Sequence, residues 1–258
     1  DATYGKTVSH TYFLGAGSAF PVTCTAVDGR GGSATATIAV QVEGSDDPIN
    51  SWTQTTLADT GNLSFATFGG GQFLVGGDGG TLAKRDAGAA GWAKAGDSGT
   101  KRRLFGGAIA GGIRLAVGWF GAVTVSKNGG AWRLAKGVEL VNLEDVIHDG
   151  DQFIAVGKTG KVGLSPDGET WTFRDSGTDA WLKHVTIDGG TYAAVGTRGT
   201  IVTSTNGTKW TERNTPTSSG LESVAFGNSR FVAVGFKGTI LYSDNGQRWI
   251  AAKSGTKE

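Results

Sequence analysis

Short runs in which apolar and polar residues alternate follow one another along most of the chain. In one stretch they cover residues 221–226, 230–234, 239–242 and 248–251, and glycine, asparagine, aspartate or serine separates each run from the next. Short runs rich in β-branched and aromatic side chains, divided by such turn residues, are typical of antiparallel strands joined by hairpins. Because no window shows the apolar period of a helix, the pattern predicts an all-β chain.

The pattern of strands recurs at a fixed period. Six of the eight tryptophans lie 39 or 40 residues apart, at Trp52, Trp92, Trp132, Trp171, Trp210 and Trp249. Between them a leucine recurs, followed by glycines 14 and 17 residues later; the leucines are Leu63, Leu104, Leu143, Leu182 and Leu221. Four short strands at this period are the signature of β-propeller blades. The repeat predicts five blades, with six as the alternative because one tryptophan strand is surplus to five complete units.

Each of the last four units ends in a turn of similar sequence, which we call the box. The boxes are 126–132, 165–171, 204–210 and 243–249, and the third reads Ser-Thr-Asn-Gly-Thr-Lys-Trp. They resemble Asp-box (BNR-like) propeller repeats, and the Phe-x-Ala-Val-Gly-x-x-Gly strand is similar to that of photosystem II stability/assembly-factor-like propellers, over residues 52–249. The common Asp-box has one more residue between serine and tryptophan, and residues 85–92 replace the box in the first unit. The resemblance implies a propeller fold and is too broad in function to imply an activity.

The box has a structural purpose of its own. An aspartate or asparagine can hydrogen-bond its own turn, the following glycine accepts a positive φ, and tryptophan covers the hairpin. We therefore expect the box tryptophans to pack between blades, and we expect no metal or substrate site there.

Residues 1–44 do not follow the repeat. They contain three β-rich runs, 7–14, 20–27 and 34–43, and residues 10–12 and 22–37 resemble the second half of a PKD or related immunoglobulin-like domain. Such a sandwich normally has about seven strands. Either the chain was cut within a larger multidomain surface protein, which we favour, or these strands pair with the propeller as part of an extra blade. The predicted domains are a partial immunoglobulin-like segment at 1–44, a linker at 45–51 and a propeller at 52–258.

Composition and charge exclude several classes of function. The 258 residues include 45 glycines and one cysteine, Cys24, and the net charge is +1. The lone cysteine excludes a disulfide scaffold, the balanced charge gives no general attraction to nucleic acid, and no stretch approaches the roughly 18 apolar residues of a membrane span. Three scattered histidines predict no metal site, and we expect no cofactor. The resemblance and the PKD-like neighbour imply a secreted, cell-surface or periplasmic protein, either a monomer or part of a larger multidomain chain.

Positions that vary between repeats are the candidates for function. In a four-stranded blade, the hairpins between the second and third strands share one face of the ring with the loops that connect blades, and the boxes lie on the other. This hairpin face gathers aromatic and basic side chains, which can stack on sugars or bind acidic groups. The predicted ligand-binding residues are Arg102, Arg103, Trp119, Phe120, Lys158, Trp181, Arg198, Phe236 and Lys237.

An alternative places catalysis deeper in the channel. Glu144, Asp145 and Glu222 lie at the starts of inner strands and could form the carboxylate pair of a glycosidase, with His184 sharing a proton. Sialidases resemble this chain only in the box, and none of its tyrosines points convincingly into the channel as their tyrosine nucleophile would. We therefore expect a non-catalytic protein that binds a glycan, a peptide or a partner protein. A glycoside hydrolase and an assembly or scaffold factor are the alternatives.

Overall fold

The computed structural model describes residues 20–27, 33–40 and 61–255. The first two ranges form one antiparallel hairpin of β1 (Phe20–Val27) and β2 (Ser33–Val40). Within the described residues this hairpin is a separate two-stranded sheet that pairs with no blade. The predicted strand at 7–14 and the predicted linker at 45–51 lie outside the described residues. No helix in the described part of the chain is long and apolar enough to cross a membrane.

Residues 61–255 form five antiparallel sheets of four strands each, which confirms the predicted blades. We number the blades I to V in chain order. Their strands are β3 (Leu63–Gly69), β4 (Gln72–Gly77), β5 (Leu82–Asp86) and β6 (Ala93–Lys94) in blade I; β7 (Leu104–Ala110), β8 (Ile113–Gly118), β9 (Val123–Lys127) and β10 (Arg133–Leu134) in blade II; β11 (Leu143–His148), β12 (Phe153–Gly157), β13 (Lys161–Ser165) and β14 (Thr172–Asp175) in blade III; β15 (Leu182–Asp188), β16 (Thr191–Gly196), β17 (Ile201–Ser204) and β18 (Thr211–Arg213) in blade IV; β19 (Leu221–Gly227), β20 (Arg230–Gly235), β21 (Ile240–Ser243) and β22 (Ile250–Ala251) in blade V.

The first strand of each blade is the inner one. Successive first strands pack on one another, β3 on β7, β7 on β11, β11 on β15 and β15 on β19, and they line a central cavity. The second strand of an interior blade is covered on both faces. In β12, Phe153 and Ala155 belong to the core shared with blade II, while Ile154 and Val156 belong to the core shared with blade IV. Burial on both faces explains why the second strands are continuous apolar runs and lack the alternation of apolar and polar residues that was predicted for every strand of the repeat.

The two glycine columns are required by the hairpin that follows the second strand. A Cβ on Gly157 would collide with the carbonyl oxygen of Asn142, the residue before the inner strand of the same blade. Gly160 has a φ of +65°, which favours glycine. Between these two residues the chain makes one short 3-10 turn, Lys158–Gly160, and turns of this kind recur in blades I to IV. The repeat spacing of the glycines therefore encodes the tight hairpin of each blade.

The box of blade III has the predicted hydrogen bonds. Asp167 Oδ1 accepts bonds from the backbone N–H groups of Glu169 and Thr170, both at 2.9 Å. The indole N–H of Trp171 donates to the carbonyl oxygen of Gly168 at 3.0 Å. The buried ring of Trp171 then joins the core between blades II and III. The box tryptophan of each interior blade thus fastens that blade to the one before it.

A polar contact that the sequence did not predict also joins blades III and IV. The Tyr192 hydroxyl donates to Asp149 Oδ2 at 2.7 Å. Burial and this hydrogen bond raise the pKa of Tyr192 to about 12. Burial alone would raise the pKa of Asp149, but hydrogen bonds from the N–H groups of Gln152 and Asp151 and from Tyr192 outweigh it and lower the pKa. The charged carboxylate of Asp149 is therefore held at the interface between blades III and IV.

Candidate functional site

The hairpins and the loops between blades meet on one face, as the blade topology requires. Arg102, in the loop between blades I and II, donates to the carbonyl oxygen of Phe120 at the tip of the blade II hairpin, at 2.5 Å. Asp179, in the loop between blades III and IV, forms an ion pair with Arg198 at the tip of the blade IV hairpin. These contacts show which surface the predicted binding residues share, and we keep the name hairpin face for it.

Four of the five hairpin tips hold a residue other than glycine in the left-handed backbone region. These are Phe120, Thr159, Arg198 and Lys237, with φ between 52° and 62°, whereas blade I has Gly79 at the same position. A side chain in this region costs on the order of 1 kcal/mol or more, and such strain concentrates at functional sites. The side chains at these tips are therefore candidates for a role outside folding.

One cluster of aromatic and arginine side chains spans blades I and II, and we call it the arginine–aromatic cluster. The ring centroids of Phe105 and Trp119 are 5.5 Å apart, and those of Trp119 and Phe120 are 6.5 Å apart. The Arg103 guanidinium lies 5.1 Å from the Phe105 ring, and that of Arg102 lies 5.7 Å from the Phe120 ring. Both Trp119 and Phe120 are exposed. The cluster presents apolar rings beside two cations, a surface that can bind an apolar and an acidic group together.

Arg103 is held in place by blade I. Its Nε is 3.0 Å from Asp78 Oδ1 and 3.0 Å from the hydroxyl of Ser64. On the other side of the cluster, the backbone N–H of Phe120 donates to Asn142 Oδ1 at 2.9 Å. Sequence reasoning missed Asn142, although an asparagine also precedes the inner strand of blade I, where Asn62 donates to Asp78. The asparagine that recurs before these two inner strands was the sequence signal that could have pointed to Asn142.

A second cluster lies between blades III and IV. The Trp181 ring is 3.6 Å from Lys183 Nζ and 5.6 Å from Lys158 Nζ, so that two cations contact one indole. The backbone N–H of Trp181 donates to the Thr197 hydroxyl at 3.0 Å, which ties this loop to the blade IV hairpin. The structure therefore groups Lys158 with Trp181 and separates both from the arginine–aromatic cluster by about one blade.

The remaining predicted binding residues are spread around the face. Arg198 is exposed and paired with Asp179, which is also exposed. Phe236 and Lys237 form the exposed tip of the blade V hairpin. The nine predicted residues thus share one face but make up two clusters and two separate tips.

The predicted channel residues line one central cavity of about 500 Å³, together with Phe65 and Phe105. Glu144 Oε2 is 3.5 Å from Lys183 Nζ, and Asp145 Oδ2 is 3.6 Å from His184 Nε2. Asp145 Oδ2 also accepts a hydrogen bond from the backbone N–H of Val185 at 3.0 Å, so this carboxylate joins two blades. Glu222 lies on the wall of the same cavity.

Glu144 is the most perturbed group of the channel. Burial raises the pKa of its carboxyl, Lys183 acts in the opposite direction, and Glu222 adds to the rise. Its Oε1 atom is buried and has no hydrogen-bond partner. Glu144 and Asp145 of blade III are thus paired with side chains of blade IV, and the carboxylate of Glu144 is only partly satisfied. Among the described residues, no group of three or more histidine, cysteine, aspartate or glutamate side chains could hold a metal ion.

These features define a β-propeller built from four-stranded blades, with a clustered surface on its hairpin face. Comparison with solved structures agrees with this class. The chain is similar to YCF48 bound to D1 peptide, with 19% identity over 78% of this chain and 69% of that chain and a TM-score of 0.60. It is similar to YCF48 from Cyanidioschyzon merolae, with 16% identity over 80% of this chain and 76% of that chain and a TM-score of 0.62.

A computationally designed protein, Ika8, has the same TM-score of 0.62, with 14% identity over 98% of this chain and 76% of that chain. At these identities the likeness shows the fold alone. No family model and no curated protein matches the chain.

Proposed function

We propose that this chain is a non-catalytic binding protein that holds a peptide or a peptide segment of a partner protein on its hairpin face. The arginine–aromatic cluster carries the proposal. It places the exposed ring of Phe120 beside the Arg102 guanidinium and beside the exposed ring of Trp119, on a hairpin tip where Phe120 has a positive φ. Burying such rings against a partner contributes the larger part of binding free energy in many interfaces.

The charges favour a peptide with acidic and apolar side chains. Arg102 and Lys158 both lie beside aromatic rings, so a carboxylate could approach either cation while an apolar neighbour covers the ring. A solved structure with this fold is a YCF48 bound to D1 peptide, which supports a peptide ligand for a propeller of this kind. Glycan binding on the same rings is the second possibility from the sequence. A location outside the cytoplasm stays a prediction from the sequence.

The test is selection from a phage-displayed random peptide library, followed by calorimetric titration of the enriched peptides. Trp119→Ala and Arg102→Ala should each weaken binding about tenfold or more, since each removes part of a contact worth over 1 kcal/mol. Lys209→Ala, an exposed lysine in the box of blade IV, is the matched control and should bind as the unchanged protein does. A glycan array probed with the same variants examines the second possibility.

Peptides that bind equally to all three variants would contradict the proposal, as would a library that yields no enrichment. If the protein binds to the glycan array and Trp119→Ala abolishes that binding, the ligand is a sugar rather than a peptide, and it binds at the same site.

A further inference from the structure

The inner strand of every blade contains a β-bulge at the same position. Directly after the recurring leucine, the register between the first and second strands shifts, so that one residue of the inner strand has no partner in the second strand. In blade III, Leu143 pairs with Gly157 and the next pair begins at Asp145, which leaves Glu144 unpaired. Bulges re-aim a side chain and are frequent beside functional sites.

The five bulge residues all line the central cavity, and we call them the bulge ring. They are Ser64, Phe105, Glu144, Lys183 and Glu222. The residue before the bulge is leucine in every blade, whereas the bulge residue is serine, phenylalanine, glutamate or lysine. The backbone feature is therefore constant, and the chemistry that it presents to the cavity differs between blades.

The cavity has an aromatic part and a charged part. Blades I and II contribute the rings of Phe65 and Phe105, and blades III to V contribute all the titratable side chains that the described residues place on the wall. These are Glu144, Asp145, Lys183, His184 and Glu222. The cavity volume of about 500 Å³ lies in the range of small-ligand sites. The lining thus suits a ligand with one polar end and one apolar end.

The charged part of the wall has more acceptors than donors. Lys183 and His184 pair with two of its three carboxylates, whereas Glu222 is exposed and forms no ion pair with any described residue. The side chain of Glu144 is only 9% exposed, and its Oε1 atom has no hydrogen-bond partner. Burial raises the pKa of Glu144 and the charge of Glu222 adds to the rise, although Lys183 opposes both. A further cation in the cavity would therefore stabilise the ionised carboxylates.

The geometry favours an organic cation over a metal ion. Among the residues that the structure describes, no three acidic, histidine or cysteine side chains converge as the ligands of a metal ion would. An ammonium group needs only one or two carboxylates, and aromatic rings attract both its charge and the apolar stem that carries it. The aromatic part of the cavity supplies such rings.

We propose that the central cavity binds a primary ammonium group carried on an apolar stem. Glu222 accepts a hydrogen bond from this group, and Glu144 attracts it through its charge. The stem lies against the rings of Phe65 and Phe105. The ammonium group belongs either to a free amine or to a lysine side chain of a peptide on the hairpin face, and this second source rests on the proposed function.

The cavity adjoins both clusters of the hairpin face, which makes the second source possible. Phe105 lines the cavity and also contacts Trp119 in the arginine–aromatic cluster. Lys183 lines the cavity and also contacts the ring of Trp181 in the second cluster. A lysine side chain of a peptide held between the clusters could therefore reach the bulge ring.

The test is calorimetric titration of the whole chain with benzylamine near neutral pH, where the amine is protonated. Benzyl alcohol has a similar shape without the charge and should bind about tenfold more weakly or less. Glu222→Gln should weaken the binding of benzylamine about tenfold, the loss expected for one hydrogen bond to a charged group. Glu212→Gln is the matched control, because it removes the same charge from an exposed position on β18, and it should bind benzylamine as the unchanged protein does.

Equal affinity for benzylamine and benzyl alcohol would overturn the proposal, as would the absence of detectable binding. So would a Glu222→Gln variant that binds as the unchanged protein does, or a loss of affinity that Glu212→Gln reproduces. Thermal unfolding checks that both variants keep the fold.

Repeating the titration in the presence of an enriched peptide that contains lysine distinguishes the two sources. Weaker binding of benzylamine means that the peptide side chain occupies the cavity, and unchanged binding means that a free amine does. A library that yields no peptide would contradict the proposed function and would leave the benzylamine result standing.

Discussion

At the scale of single residues, four hairpin tips depart from the conformational preferences of their amino acids. Thr159 is the clearest example, because a β-branched residue with a φ of 58° is a genuine outlier. The neighbouring Lys158 does not have a positive φ. A sequence pattern can show that these positions vary between repeats, but the strain on the second position becomes visible only in the backbone of the folded hairpin.

The two neighbours should respond to glycine in opposite directions. Thr159→Gly should raise the free energy of unfolding by up to about 1 kcal/mol, because glycine adopts the left-handed region without steric cost. Lys158→Gly should lower it by about 0.5 to 1 kcal/mol, because glycine there adds chain entropy to the unfolded state and also removes the contact of Lys158 with the Trp181 ring. Urea unfolding of both variants measures the difference. A loss of stability in both would show that the tip is not strained.

The buried carboxyl of Glu144 should make stability depend on pH with a defined sign. Its folded-state pKa is raised above the ordinary value of 4.5, so the folded protein holds this proton more tightly than the unfolded chain does. The resulting stabilisation is fully present below pH 4.5 and is lost as the pH rises through the folded-state pKa.

Unfolding free energies of the unchanged protein and of Glu144→Gln, measured from pH 4 to 8, provide the test. The unchanged protein should gain stability relative to the variant as the pH falls, while the titrations common to both cancel. A pH-independent difference, or one of opposite sign, would mean that the carboxyl is better solvated than the cavity geometry indicates.

At the scale of the elements, local sequence rules describe most of each blade. The sequence shows that Gly157 belongs to a recurring glycine column and predicts that Trp171 packs between blades; in the structure Gly157 lies against the Asn142 carbonyl group and Trp171 packs on blade II. The hydrogen bond between Tyr192 and Asp149 could not be found in this way. It joins residues 43 apart on two blades, so it depends on the angle between blades rather than on any pattern within one strand.

The glycine before each hairpin should tolerate substitution far less than a glycine at a strand end with open space around it. Gly157→Ala should lower the free energy of unfolding by about 3 kcal/mol, because its Cβ would collide with the Asn142 carbonyl group and part the first two strands of blade III. Gly227→Ala is the control, because nothing lies within 4 Å of a Cβ there. Thermal and urea unfolding of both variants measure the effect; equal small losses would show that the hairpin can relax around a methyl group.

At the scale of the whole molecule, the period of the tryptophans predicted the number of complete blades but not the individual contacts between blades. Each unit specifies its own strands, while the packing of one blade on the next depends on side chains such as Phe153 and Trp171, which share a core with the neighbouring blade. The ion pairs of Glu144 and Asp145 with blade IV therefore appear only in the assembled structure.

The sequence predicted only part of the candidate site, because the grouping of its residues also depends on how neighbouring blades pack. Blade topology alone was enough to place Trp119 and Lys158 on one face. The division into separate clusters, and the ion pair between Arg198 and Asp179, follow from distances between blades that the sequence does not state. The proposed binding site is therefore one face of the propeller, and a measurement that compares the two faces can test it.

The most direct measurement is backbone hydrogen exchange with and without a peptide enriched from the library. Exchange should slow at the hairpin tips 119–121 and 158–160 when the peptide is bound, and it should be unchanged at the box turns 167–170 and 206–209 on the opposite face. Slower exchange at the boxes with unchanged tips would contradict the account.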